Sequence, residues 1–451
     1  MARSQDVIVV GGDLTGYTAA LEARRLGLGV LLVEPLADAA VDGVEPPDLH
    51  ALREVARRII HRQGPARRGT RPLGDTALAV LRVLRKDVRQ RALAGGVRIA
   101  NGQVSLESPT TAVLAEGERH EARTLLLATG TRARPSTRFP IGGVVCSPEG
   151  ALAAPGSPRS VLVVGAEMLG CEIACMLAST GASVTLLDRR SRLLRFADRS
   201  LLEVLHHRMR ELGISVVLEE EICALELCEG GSEPHAVVRL GSGRMEHCDR
   251  VVVAGGRSGR TDGLGLDRIG VELDGSGRLV TDEYFQSSCA GVYGVGDVVG
   301  GSGDTLSVAY QARTALRHAL GEQWTPEEHT PLVIHTLPEL AMVGFTDEAC
   351  RLLEVPCVTG VARYGETPGG SLGGHPDDLV KLVFSRSDLR LLGVHWLGKG
   401  AVEMTHLGAV WLRQAATARA LADAPFAPFS LAELYRTAAL DAIAASDASR
   451  V

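Results

Sequence analysis

The chain has 451 residues, of which 45% are hydrophobic and 23% charged, with a formal net charge of −6; that allows about three domains with a core each and excludes a peptide or a disulfide-stapled mini-protein. No apolar run reaches the roughly 18 residues of a membrane span, and the apolar start Val7 to Val10 runs straight into Gly11-Gly12-Asp13, which is no secretory leader. The expectation is a cytoplasmic protein with no membrane partner.

The first predicted element is the strand Val7 to Val10, followed by a glycine turn and a helical stretch with Ala19, Ala20 and Ala23 on its inner face. A second strand then ends in Glu34, which completes a βαβ unit. Arg53 to Arg91 holds twelve Lys/Arg against three acids. Arg53, Arg57, Arg58 and Arg62 recur there at helical spacing, as do Arg82, Arg85, Lys86 and Arg89. They read as two solvated helix faces, with an acidic or phosphate-rich partner as the alternative; the stretch has no aromatic residue on which a base could stack.

Thr124 to Gly130 is an apolar run ending in a polar-glycine turn. A second βαβ unit spans Val161 to Asp188, with Ile173, Ala174 and Leu177 on the inner face of its helix. Short apolar runs then end at Gly256-Arg257 and at Gly296-Asp297, and ligands in open α/β sheets sit at such strand ends. From about Pro331 the pattern changes to alternating segments, Leu379 to Phe384 and Leu391 to Trp396, followed by a helix from Glu403 to Arg419.

The paired nucleotide units, Ala128-Thr129-Gly130, Gly256-Arg257 followed by Thr261-Asp262, Gly296-Asp297, His335-Thr336-Leu337-Pro338-Glu339 and Glu433 to Leu440 stand in one order and spacing. Together they resemble the pyridine nucleotide-disulfide oxidoreductases, and within them the soluble NAD(P) transhydrogenases, over nearly the whole chain. The resemblance implies an α/β fold with two Rossmann-like nucleotide-binding domains and a C-terminal α+β dimerisation domain. The expected boundaries are 1–155 with 281–330 for FAD, 156–280 for NAD(P), and 331–451 for the interface of a homodimer. It further implies that Asp297 faces the flavin's ribityl chain, Glu34 its adenosine ribose, and Thr129-Gly130 the region of its pyrophosphate. Asp188, with Arg189 and Arg190 beside it, faces the ribose of the nicotinamide nucleotide, where an acid suits NAD and an arginine NADP.

Two departures bear on chemistry. In G-x-G-x-x-G the first glycine makes the turn, the second lets the pyrophosphate approach, and the third packs the helix. Here the first fingerprint keeps Gly11, Gly12 and Gly16 but has Asp13 at the second glycine position; the other keeps Gly165 and Gly170 but has Glu167. A carboxylate about 4 Å from a phosphate charge costs about 4 kcal/mol at an effective dielectric near 20, about a thousandfold in affinity. Asp13 and Glu167 are therefore expected to occlude the sites by capping their own helices, the alternative being that the side chains swing into solvent and nucleotide still binds with reduced affinity.

The second departure is the redox pair. The family's CxxxxC lies shortly after the first unit, where this chain reads Val41 to Asp48, and the first of its nine cysteines is Cys146. The histidine that accompanies Glu433 in disulfide-reducing members is also missing. Cys223 and Cys228 have the right spacing but lie in a β-like segment that points them to opposite faces. Cys171 and Cys175 share a helix face and read as core, and no metal site is expected. Two functions follow: hydride transfer through flavin without dithiol chemistry, or a cofactor-poor pseudoenzyme that serves as a dimeric scaffold.

Overall fold

The computed structural model describes residues 3–35, 52–58, 74–134, 139–154, 156–228, 234–300, 307–327, 329–367, 369–370 and 376–448. The Val41 to Asp48 segment and Arg62 lie outside them. The chain forms two compact units. One comprises Met1–Pro158, Leu225–Val237 and His247–Pro326, and the other Arg159–Ala224, Val238–Glu246 and Glu327–Val451.

The first unit begins with β1 (Arg3–Val10), α1 (Leu14–Arg25), β2 (Val30–Glu34), α2 (Gly74–Ala94), β3 (Arg98–Asn101), β4 (Val104–Ser108), β5 (Thr111–Leu114) and β6 (Arg119–Leu127). Val7 to Val10 are all but completely buried, as an unbroken apolar run requires of a strand covered on both faces. β1 lies parallel to β2, with Val7 opposite Val30, and to β6, with Val10 opposite Leu127. β3 extends the sheet parallel to β2. On its other side β6 pairs antiparallel with β5 and parallel with Val292–Gly294. Ala19, Ala20 and Ala23 of α1 are fully buried, and their small side chains let the helix lie close to the sheet.

The second unit contains the parallel strands Ser160–Val164, Ser183–Leu187 and Ile214–Val217, in that spatial order. The helix Met168–Ser179 follows the first of them and buries Cys171, Ile173, Ala174 and Cys175. Its C-terminal part is an antiparallel sheet of five strands in the order Leu332–Ile334, Leu340–Gly344, Leu391–Leu397, Leu379–Ser385, Cys357–Arg363. The helix Glu433–Ala448 packs so closely on this sheet that a Cβ at Gly360 would stand 1.9 Å from the Ala438 carbonyl oxygen. Trp396, Tyr435 and Trp411 form an aromatic core there, with ring centroids 5.4 and 4.5 Å apart.

One expected element divides. The helix predicted to continue to Arg419 ends at Arg413, and a second helix, Ala418–Asp423, starts after it. Ala415 adopts φ +51°, Thr417 caps the new helix through Ala420 N, and the Ala416 carbonyl accepts from Leu391 N at 2.8 Å. A tertiary hydrogen bond has claimed backbone that helical propensity would have kept.

Candidate functional site

At the first turn, two of the fingerprint glycines are required by contact. A Cβ at Gly11 would stand 2.3 Å from the Ala128 carbonyl oxygen, and one at Gly16 2.1 Å from the Gly11 carbonyl oxygen. Position 13 has no such need, because its backbone is extended, with φ −108° and ψ −175°. A glycine there serves only an approaching ligand. The Asp13 carboxylate caps α1, accepting from Gly16 N at 3.0 Å, and it lies 3.7 Å from the position of a Cβ at Gly130. The expected self-capping is present at this turn.

Around it stand the other residues read from the sequence. Gly130 has φ +69°, and the buried Thr129 hydroxyl has no hydrogen-bond partner. At the end of β2, Glu34 accepts from the Tyr17 hydroxyl and lies 3.5 Å from Arg89 Nε. Arg85 Nη2 donates to the Gly12 carbonyl at 2.7 Å. Arg82, Arg85 and Lys86 are exposed, as a solvated face requires, and from that face Arg85 and Arg89, one turn apart on α2, also reach Gly12 and Glu34. Arg57 and Arg58 pair with Glu54, and Arg91 with Asp87.

Asp297 is half-buried after the strand Val292–Gly294. Gly296 before it has φ +74°, and a Cβ there would stand 2.7 Å from Thr15 Cγ2. Thr131 Oγ1 lies 3.5 Å from Asp297 Oδ2 and accepts from Arg257 Nε at 2.8 Å. Arg257 also forms a 2.7 Å ion pair with Glu149, both side chains about 11% exposed. Gly256, with φ +70°, offers its carbonyl to Arg134 N. Arg257 is thus a clasp on the turn after β6, and Thr131 and Glu149 are partners that no sequence motif marks.

The second turn is built differently. Gly165 has φ +107°, a conformation that side chains rarely adopt, and Gly170 lies buried in the first turn of its helix. Glu167 occupies the N-cap position but makes no capping hydrogen bond, so the expectation that it caps its own helix is corrected. One methylene longer than aspartate, its side chain reaches sideways to Arg190 Nη1, with Arg195 Nε at 4.0 Å. Arg190 also clasps Asp188, Nε to Oδ1 at 2.9 Å and Nη2 to Oδ2 at 2.8 Å. Asp188 further accepts from Ala166 N at 2.7 Å and Arg190 N at 2.9 Å. Burial pushes the Asp188 carboxyl up, but these hydrogen bonds outweigh it and hold the group at about 2. Arg189 is exposed.

No disulfide joins any of the nine cysteines. Cys171 and Cys175 are core residues as expected, and burial raises both thiols, Cys175 to about 12. Thiolates are disfavoured there.

Two βαβ turns, each with an acid at the end of its second strand, on a chain with an antiparallel C-terminal sheet give a fold with two turns of the dinucleotide-binding kind. Residues 5–318 match the pyridine nucleotide-disulphide oxidoreductase family model, and residues 330–439 match that family's dimerisation domain; the chain belongs to this family. A soluble pyridine nucleotide transhydrogenase of Mycobacterium bovis is 32% identical over 97% of this chain and 97% of that protein. The Chromohalobacter salexigens protein of that description is 30% identical over 96% and 97%. Among solved structures, the HOCl-induced flavoprotein disulfide reductase RclA of Escherichia coli superposes with a TM-score of 0.81 at 18% identity, covering 96% of this chain and 99% of that one. LpdA of Mycobacterium tuberculosis does so with 0.79 at 23%, covering 96% and 99%. Both share the fold.

Proposed function

We propose that the chain is an oxidoreductase of transhydrogenase type, moving hydride between a nicotinamide dinucleotide and an acceptor through flavin and without a dithiol. The observation that carries this reading is the buried Thr129 hydroxyl beside Gly130, which has no hydrogen-bond partner in the protein and so offers a polar group to a bound molecule at this turn. Thr129-Gly130, Glu34 and Asp297 are the residues that would hold FAD, and Asp188 and the helix after Gly165 those that would face NAD(P). Flavin, when bound, supplies the hydride chemistry. The absence of any cysteine before Cys146 supports a route without thiol exchange. The division into 1–155 with 281–330, 156–280 and 331–451 belongs to this reading, as do a homodimer, which the match to a dimerisation domain supports, and a cytoplasmic location.

One observation favours a second reading, a cofactor-poor scaffold: the Asp13 carboxylate fills the N-terminus of α1, where a flavin pyrophosphate would otherwise bind. In that case the basic stretch 53–91 is the surface for an acidic or phosphate-rich partner.

The flavin-to-protein ratio of freshly purified protein, with bleaching by NADH and by NADPH, separates the two. A near-stoichiometric yellow protein that bleaches supports the oxidoreductase. A colourless protein that remains so after FAD is added overturns it.

A further inference from the structure

Both acid-bearing turns have lost the glycine that admits a pyrophosphate, yet their carboxylates lie differently. Asp13 bonds its own helix. Glu167 is drawn off its helix by Arg190, whose guanidinium is fixed by Asp188. The 12-residue helix Met168–Ser179 therefore keeps a first turn without a side-chain cap, and its N–H groups and dipole favour an anion. Gly165 in its glycine conformation and Asp188, an acceptor at the strand end, are the other features that a dinucleotide turn uses.

We propose that Arg190 is the positioning residue of the second turn: by holding Asp188 and Glu167 together it keeps the Glu167 carboxylate out of the pyrophosphate's place, so that this turn remains open to a nicotinamide dinucleotide. The inference rests on the reading of this turn as a dinucleotide site. The charged groups facing Glu167 are Arg190 and, at 4.0 Å, Arg195, whose side chain is 62% exposed. Arg192 pairs with Glu348 at 3.5 Å. Arg190 alone has a second anchor, through Asp188, that fixes its direction.

The test is NADH and NADPH titration of the full chain by calorimetry, which needs neither turnover nor flavin. Glu167→Gln alone is expected to change affinity by less than about threefold, because the charge is already held aside. Arg190→Gln is expected to weaken binding about 10- to 100-fold, and Glu167→Gln in that background to restore it to within about threefold. Arg190→Lys, a single point donor that cannot span two carboxylates, is expected to fall between wild type and Arg190→Gln. Thermal midpoints should drop equally in Arg190→Gln and the double variant, since Asp188 loses its partner in both, so recovery of binding without recovery of stability identifies positioning. A large gain from Glu167→Gln alone overturns the proposal, because the acid then blocks the turn despite its partner. Failure of the double variant to recover also overturns it, because Arg190 then contacts the ligand itself. Absence of binding in the wild type and every variant overturns the dinucleotide reading instead.

Discussion

Asp13 performs at the first turn what a capping aspartate does at any helix N-terminus, and in the proposed FAD site the same carboxylate would meet the pyrophosphate. Charge and capping can be separated. Asp13→Asn keeps the acceptor and removes the charge, whereas Asp13→Gly removes both and gives up only a few tenths of a kcal/mol of helix capping. If charge is the obstacle, FAD titration by flavin fluorescence quenching should show affinity rising in both variants, by up to about a thousandfold in Asp13→Gly. No rise in either means that the carboxylate moves aside when flavin enters. Gly16→Ala should act on stability: its Cβ would stand 2.1 Å from the Gly11 carbonyl oxygen. The expected cost is about 1–3 kcal/mol, read from the urea midpoint.

Among elements, the strand Leu379–Ser385 carries a buried cation. Lys381 Nζ lies 2.8 Å from Asp198 Oδ2 and 2.9 Å from Asp347 Oδ1. Asp198 also caps the helix Arg199–Glu211 through Ser200 N, so one ammonium ties the end of that helix to the C-terminal sheet. Lys381→Met would leave the completely buried Asp198 carboxylate without its cation, while Asp347 would keep Arg351. The expected loss is about 3–5 kcal/mol, checked by chemical denaturation. The alternation in Leu379 to Phe384 announced a strand; only the position of Asp198, far away in sequence, makes its lysine a core residue. The helix that ends at Arg413 shows the same limit, since the hydrogen bond to Leu391 N that ends it comes from another element.

For the whole molecule, the lowered carboxyls set the response to acid. Asp188 is held at about 2. At Asp347 burial raises the carboxyl, but hydrogen bonds from Lys381 and Arg351 prevail and lower it. A carboxyl lower in the folded than in the unfolded state binds fewer protons when folded, so its stabilisation is complete above about pH 4 and is lost as pH falls toward 2. Urea midpoints should be level from pH 7 to 5 and fall between about 4 and 2. Asp188→Asn should flatten part of that fall, and an unchanged profile would refute the assignment.

The sequence by itself determined the two βαβ units, the acid at the end of each, the altered glycine positions and the absence of an early cysteine pair, because apolar periodicity and turn chemistry are local and each is written within about thirty residues. What the acids do was decided by tertiary structure. Asp13 and Glu167 occupy equivalent positions and are chemically alike, yet one caps its helix and the other is drawn to Arg190, twenty-three residues on. Arg85 keeps the solvent exposure that its spacing suggested and Arg89 part of it, but only the place of α2 gives them Gly12 and Glu34 as partners. A carboxylate takes the strongest partner within its reach, and that reach is fixed by distances between elements that no spacing along the chain contains.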